Sequence, residues 1–126
     1  MSVLIDTSVW VDHFRNRNDG LIALITTDRA LTHPMVLAEL ACGTPPAPRA
    51  QTLRDIGVLL SPRQASLAEV ITFVERESLF GRGCGLVDMV LLTSTLMTPG
   101  AKLWSLDRRL AELAGGFGVA YGGELH

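Results

Sequence analysis

An α/β fold, with a parallel sheet covered by helices on both faces, is predicted by three features of this chain. Short apolar runs alternate with longer stretches of helical spacing. Capping and breaker residues mark the junctions between them. With 126 residues, 48% of them hydrophobic, the chain can build one core but not two, so a single domain over residues 1–126 is expected.

Val3 to Ile5 reads as the first strand. It meets Asp6-Thr7-Ser8, residues that favour helix starts, and Val9 to Arg15 then places Trp10 and Phe14 four apart on one helical face. Asn16 to Gly20 is predicted as a loop, Leu21 to Thr27 as a short helix and Ala30 to His33 as a second strand. Pro34 suits the first position of a helix, where its missing N–H is not needed; that helix carries Glu39 and stops at Gly43. Thr44-Pro45-Pro46-Ala47-Pro48 separates pieces too small for cores of their own, so it is a loop rather than a linker. Helices follow at Arg49 to Ile56 and Pro62 to Leu79. Gly81, Gly83 and Gly85 form a hinge-like turn before a helix at Leu86 to Met97. Pro99-Gly100 leads into a strand at Lys102 to Ser105. Asp107 caps a helix at Arg108 to Ala114, Gly115 and Gly116 end it, and Val119 to Tyr121 makes a last strand. Strands alternating with helices imply right-handed crossovers and hence parallel pairing.

The composition narrows the possible functions. No apolar run approaches the roughly 20 residues of a membrane span, and no basic segment precedes one at the amino terminus, so a cytoplasmic protein is expected. Cys42 and Cys84 lack the clustering of a zinc site and are expected as buried, reduced thiols. High hydrophobic content implies apolar surface covered by a second subunit or a partner, and a homodimer is expected. The net charge of -2 looks wrong for a nucleic-acid binder. Four of the 13 acids can be set aside, however, and the remaining nine face 11 basic residues, ten of them Arg, the side chain best suited to bidentate phosphate contacts.

Those four acids are the chemical signal. Asp6 ends the first apolar run, Glu39 lies within Met35 to Ala41, Asp88 interrupts Leu86 to Leu92, and Asp107 follows Leu103-Trp104-Ser105-Leu106. An ionised group beside apolar neighbours needs compensation, and a divalent cation supplies it. Taken singly, Asp6 and Asp107 read as helix caps and Glu39 as a solvated helix residue; Asp88 resists such an account, because its helix is apolar nearly all round. Taken together, all four fall near the carboxyl edge of a parallel sheet, with Glu39 and Asp88 in the first turns of their helices, which is where such folds place ligands. His33, at the same edge, reads as a polar edge histidine ahead of a base or ligand, and His13 and His126 carry no signal. Trp10, Phe14 and Trp104 read as core residues rather than base-stacking platforms.

At these residues the chain resembles the PIN-domain ribonucleases, in particular the small VapC-type toxins of toxin-antitoxin pairs. The likeness rests on Ile5-Asp6-Thr7-Ser8-Val9-Trp10, Val36-Leu37-Ala38-Glu39-Leu40, Gly85-Leu86-Val87-Asp88-Met89-Val90-Leu91-Leu92 and Leu103-Trp104-Ser105-Leu106-Asp107-Arg108-Arg109-Leu110, and covers essentially the whole chain. It implies a three-layer α/β/α domain, Mg2+ or Mn2+ at Asp6, Glu39, Asp88 and Asp107, polar support from Thr7, Ser8 and Ser105, and RNA cleavage leaving 5'-phosphate and 3'-hydroxyl ends. It also implies a cognate VapB-like antitoxin. Arg15, Arg17, Arg82, Arg108 and Arg109 lie on segments near the expected cleft, and Arg15, Arg82 and Arg108 lead as candidates to hold RNA. Two other classes compete. A haloacid-dehalogenase-like phosphatase would need a second Asp where Ser8 stands, and a non-catalytic interaction module would use the apolar surface without the acids.

Overall fold

The computed structural model describes residues 1–122; His126 lies outside them. Three strands, β1 (Ser2–Ile5), β2 (Ala30–Leu31) and β3 (Ala101–Trp104), form a parallel sheet in the order β2-β1-β3. The central strand is the most apolar: Val3, Leu4 and Ile5 are fully buried, as a strand covered on both faces must be. Around the sheet run α1 (Thr7–Arg15), α2 (Asp19–Thr26), α3 (Pro34–Cys42), α4 (Arg49–Gly57), α5 (Leu67–Arg76), α6 (Leu86–Met97) and α7 (Arg108–Gly116). The α/β class with a parallel sheet flanked by helices is as the sequence predicts.

Several boundaries differ, each for a local reason. Asn18 accepts from Leu21 N, so α2 starts at Asp19 and absorbs Gly20, which the apolar spacing alone leaves in a loop. The second strand stops at Leu31 because Thr32 N turns to Leu60 O and His33 becomes the cap of α3. Pro62 to Ala65 is not helical: Arg63 N and Ala65 N donate to the hydroxyls of Thr98 and Ser94, and α5 begins only after a capping box of Ser66 and Glu69. It ends at Arg76, with Ser78 at φ 55 turning Leu79 N back to Val74 O. Gly115 and Gly116 lie inside α7, and the reversal falls to Gly118 at φ 74. The last strand shrinks to one bridge, Ala120 beside Leu103. Cys42 is exposed at the end of α3 and Cys84 only half-buried, against the expected buried pair.

His33 is a structural residue. Its buried ring accepts from Met35 N through Nδ1 at 3.0 Å, which puts its proton on Nε2, facing Ser94 Oγ at 3.3 Å. Burial holds its pKa below the usual histidine value. The unfolded chain therefore takes up this proton more readily, and stability present above pH ~6.5 is lost as pH falls below it. His33→Asn keeps a capping acceptor without the titration. Its melting temperature should fall less between pH 7.5 and pH 5.5 than that of the unsubstituted protein; equal falls would remove His33 as the cause.

Candidate active site

Asp6 sits where β1 meets α1, at the N-cap position, yet its carboxylate caps nothing. Its Oδ2 instead accepts from Ser8 Oγ at 2.6 Å and Ser105 Oγ at 2.7 Å, and those hydroxyls accept in turn from Leu106 N and Asp107 N, each at 2.9 Å. Two backbone amides thus orient two hydroxyls, and both hydroxyls orient one buried carboxylate. The β1–β3 register makes this possible: Ile5 lies opposite Trp104, so the residues just past each strand meet at one edge. Oδ1 of Asp6 has no hydrogen bond among the described residues.

The other three acids reach the same edge from separate elements. Glu39 is exposed in the second turn of α3, one turn later than expected, and accepts from Thr7 Oγ1 at 2.5 Å across to α1. Asp107 does cap α7, with Oδ1 accepting from Leu110 N at 3.1 Å. Asp88 is the third residue of α6, half-buried, and its Oδ2 accepts from Gly85 N at 3.2 Å. Burial pushes its pKa above the ordinary carboxylate value, the Gly85 N–H pulls it back, and the charges of Asp6, Asp107 and Glu39 push it further up. Asp88 therefore feels the other three at one edge of the sheet. Seven consecutive residues after it, Met89 to Thr95, are buried, as the apolar sequence there requires.

Cys84 stands near enough to Asp88 and Asp107 to feel their charge, which sequence spacing does not reveal. Burial raises its thiol pKa, Asp88 and Asp107 add to the rise, and Arg109 opposes them. A thiol held protonated in this way is a poor nucleophile. The arginines divide by direction. Arg15 lines a pocket together with Thr7 and Glu39. Arg109 lies along the loop before Asp88, its Nη1 3.5 Å from Gly83 O. Arg108 pairs with Glu112 at 3.5 Å and Arg17 with Asp19 at 2.9 Å on exposed surface, while Arg82 stands exposed in the glycine loop.

Two relatives, both the protein named Ribonuclease VapC32, come from the CDC 1551 / Oshkosh and ATCC 25618 / H37Rv strains of Mycobacterium tuberculosis; each is 38% identical over 123 residues, covering 98% of this chain and 98% of the relative. This chain belongs to the VapC-type PIN-domain toxins. No protein-family model matches it.

A family of this kind implies a divalent cation, and the donor set suits one. Carboxylate oxygens are the hard ligands that Mg2+ and Mn2+ take. Among the described residues, no group of three or more His, Cys, Asp or Glu side chains is gathered closely enough to hold an ion as it stands. Each of the four acids commits an oxygen to a neighbour, Asp6 to two hydroxyls, Glu39 to Thr7, Asp88 to Gly85 and Asp107 to α7, and keeps its second oxygen out of that bond.

Proposed function

We propose that this chain is a Mg2+- or Mn2+-dependent endoribonuclease acting as a single domain, the toxin of a type II toxin-antitoxin pair, and that it works in the cytoplasm. The observation that carries the reading is the buried Asp6 carboxylate, aimed by Ser8 and Ser105 at the sheet edge, with the half-buried Asp88 close by, whose proton affinity is raised first by burial and then by the charges of Asp6, Asp107 and Glu39. Such a concentration of negative charge is unfavourable unless a cation offsets it. The relatives' name, Ribonuclease VapC32, gives the reaction class. Among the described residues no helix is long and apolar enough to cross a membrane.

Asp6 and Asp88 would hold the ion, with Glu39 and Asp107 completing the site directly or through water. Bound there, the ion would acidify a water molecule and offset the charge that develops on a phosphodiester. The protein's own work is positioning. Ser8 and Ser105 aim Asp6, Thr7 steadies Glu39, the Gly85 N–H steadies Asp88, and no protein nucleophile is needed. Arg15 beside Glu39 and Arg109 beside the Asp88 loop offer cations for the RNA backbone on two sides of the acids.

EDTA should stop cleavage of RNA by the purified protein, and added Mg2+ or Mn2+ should restore it. Cleavage indifferent to chelation would end the metal-dependent reading, and a folded protein that neither binds nor cuts RNA would favour the non-catalytic module. Partners are proposed from the surface. Leu67 and Ile71 on α5, with Leu86 at the start of α6, are more than half exposed, an apolar face suited to a second copy of the chain or an antitoxin helix. A gene adjacent to this one should encode a small VapB-like protein whose coexpression relieves growth arrest. Growth arrest that persists with every neighbouring gene coexpressed would remove the toxin assignment and leave the nuclease.

A further inference from the structure

Beside the acids lies a cleft that the cleavage chemistry does not use. It encloses about 390 Å³ and is lined on one side by Val11, Phe14 and Arg15 of α1, and on the other by Gly43 and the Thr44-Pro45-Pro46 loop; Thr7 and Glu39 form the wall it shares with the acid cluster. Its volume falls at the lower end of the roughly 300–1,000 Å³ typical of small-ligand clefts. Its composition is mixed rather than greasy: an aromatic ring, two proline rings, the hydroxyls of Thr7 and Thr44, a carboxylate and an arginine beside two aliphatic side chains. Phe14 is only partly buried and packs on Trp10 with ring centroids 6.3 Å apart, so its position is set from behind by the core. Arg15 is exposed and makes no ion pair among the described residues.

We infer that this cleft is a base-binding subsite, which takes one unstacked nucleobase of single-stranded RNA next to the phosphodiester at the acids, with Phe14 as the stacking surface and Arg15 on the adjoining phosphate. The inference rests on the nuclease reading above and adds to it the feature that sets sequence preference. Continuity is the first argument. Thr7 and Glu39 belong to both the acid cluster and the pocket, so a strand whose phosphate lies at the acids brings a neighbouring nucleotide to the cleft. Charge is the second. A guanidinium without an ion-pair partner among the described residues complements a phosphate at the rim. The third is composition, because the pocket gathers an aromatic ring and two proline rings, and every base has a flat face to stack. The sequence reading of Phe14 as a core residue holds in part: the ring packs on Trp10 and is only partly buried, and it also lines this pocket.

The test is a cycle that pairs the side chain with the base. Labelled single-stranded RNA hexamers carrying one abasic position moved along the chain are titrated by fluorescence anisotropy with Ca2+ in place of Mg2+, and the RNA recovered from each titration is checked by gel to be intact. The unsubstituted protein should lose about tenfold in affinity when the abasic position coincides with the pocket, the scale of one stacked base. Phe14→Leu keeps apolar volume but removes the ring, and should bind intact and abasic hexamers within about twofold of each other. Val11→Met, at an exposed position, narrows the cleft with less risk to the fold and should give the same loss of discrimination. Either variant should also shift the cleavage pattern on a mixed-sequence RNA.

Equal binding of every abasic hexamer by the unsubstituted protein would overturn the inference. So would a Phe14→Leu protein that discriminates as well as the parent. If the variants bind and cut RNA normally but lose a coexpressed antitoxin, the pocket belongs to a protein partner and the subsite is wrong. Cleavage without pocket dependence would fail this inference alone; a folded protein that cuts no RNA would fail the nuclease reading with it.

Discussion

Asp6→Asn and Asp88→Asn should each reduce RNA cleavage at least about a hundredfold, the scale of removing one well-placed charge-stabilising group from an active site. Both substitutions keep the shape of the side chain and one acceptor oxygen, and remove the negative charge. At Asp6 the two donors Ser8 and Ser105 converge on Oδ2, so the asparagine can accept both through its carbonyl while its amide takes the place of Oδ1, the oxygen left for an ion. The fold should survive, and circular dichroism checks that. Ser105→Ala makes the useful contrast. It leaves the carboxylate charged but removes half of what aims it, and the loss should be about tenfold and shrink as Mg2+ is raised. Cleavage at the parental rate in either asparagine variant would sink the site. A Ser105→Ala loss that no amount of Mg2+ reduces would separate the serine from the metal.

Much of this arrangement could be read in the chain, and the gaps have physical causes. The sequence predicts helix α6 at Leu86 to Met97 and it is found there, because the mainly apolar run between Gly85 and the Thr98-Pro99 turn holds no breaker that would offer another boundary. The start of α5 was misjudged, because the apolar spacing continues back to Pro62 while the backbone there is held by Ser94 and Thr98, some thirty residues away in sequence. No local rule reports such a partner. The same limit applies at the site. That four acids approach one sheet edge follows from topology, and Asp88 feels the other three as that topology requires. That Asp6 at an N-cap position would leave its helix uncapped, and be held by Ser105 from the far strand, needed the β1–β3 register. Capping chemistry does govern Asp107. The cleft around Phe14 was invisible for a further reason. Helical spacing puts the residue toward the core, and only the placement of the proline loop makes a pocket beside it.

In EDTA at neutral pH, Asp88→Asn should melt higher than the unsubstituted protein. The raised pKa of Asp88 means that the folded state holds this proton more tightly than the unfolded chain does. The associated stability is complete below the unfolded value of about 4 and is lost as pH rises through the raised folded value, so the penalty grows from acid toward neutral pH. Asparagine removes it while its side-chain oxygen can still accept from Gly85 N. Asp88 is only half-buried, so solvent screens much of the repulsion, and relief of about 1 kcal/mol is the reasonable scale, roughly 4 °C for a domain of this size. Lowering the pH to about 5 should shrink the difference, because the unsubstituted carboxylate begins to regain its proton. His33 loses stability over the same range, but it is common to both proteins and cancels in the comparison. Added Mg2+ should act in the opposite sense, raising the midpoint of the unsubstituted protein more than that of the variant, since an ion that binds only the folded state stabilises in proportion to its affinity. Four melts decide the matter, each protein with EDTA and with Mg2+, repeated at the lower pH. A variant that melts lower in EDTA would mean that the Gly85 N–H, bonded to a full charge, stabilises the turn into α6 by more than the neighbouring acids destabilise it, and Asp88 would then be a structural residue first.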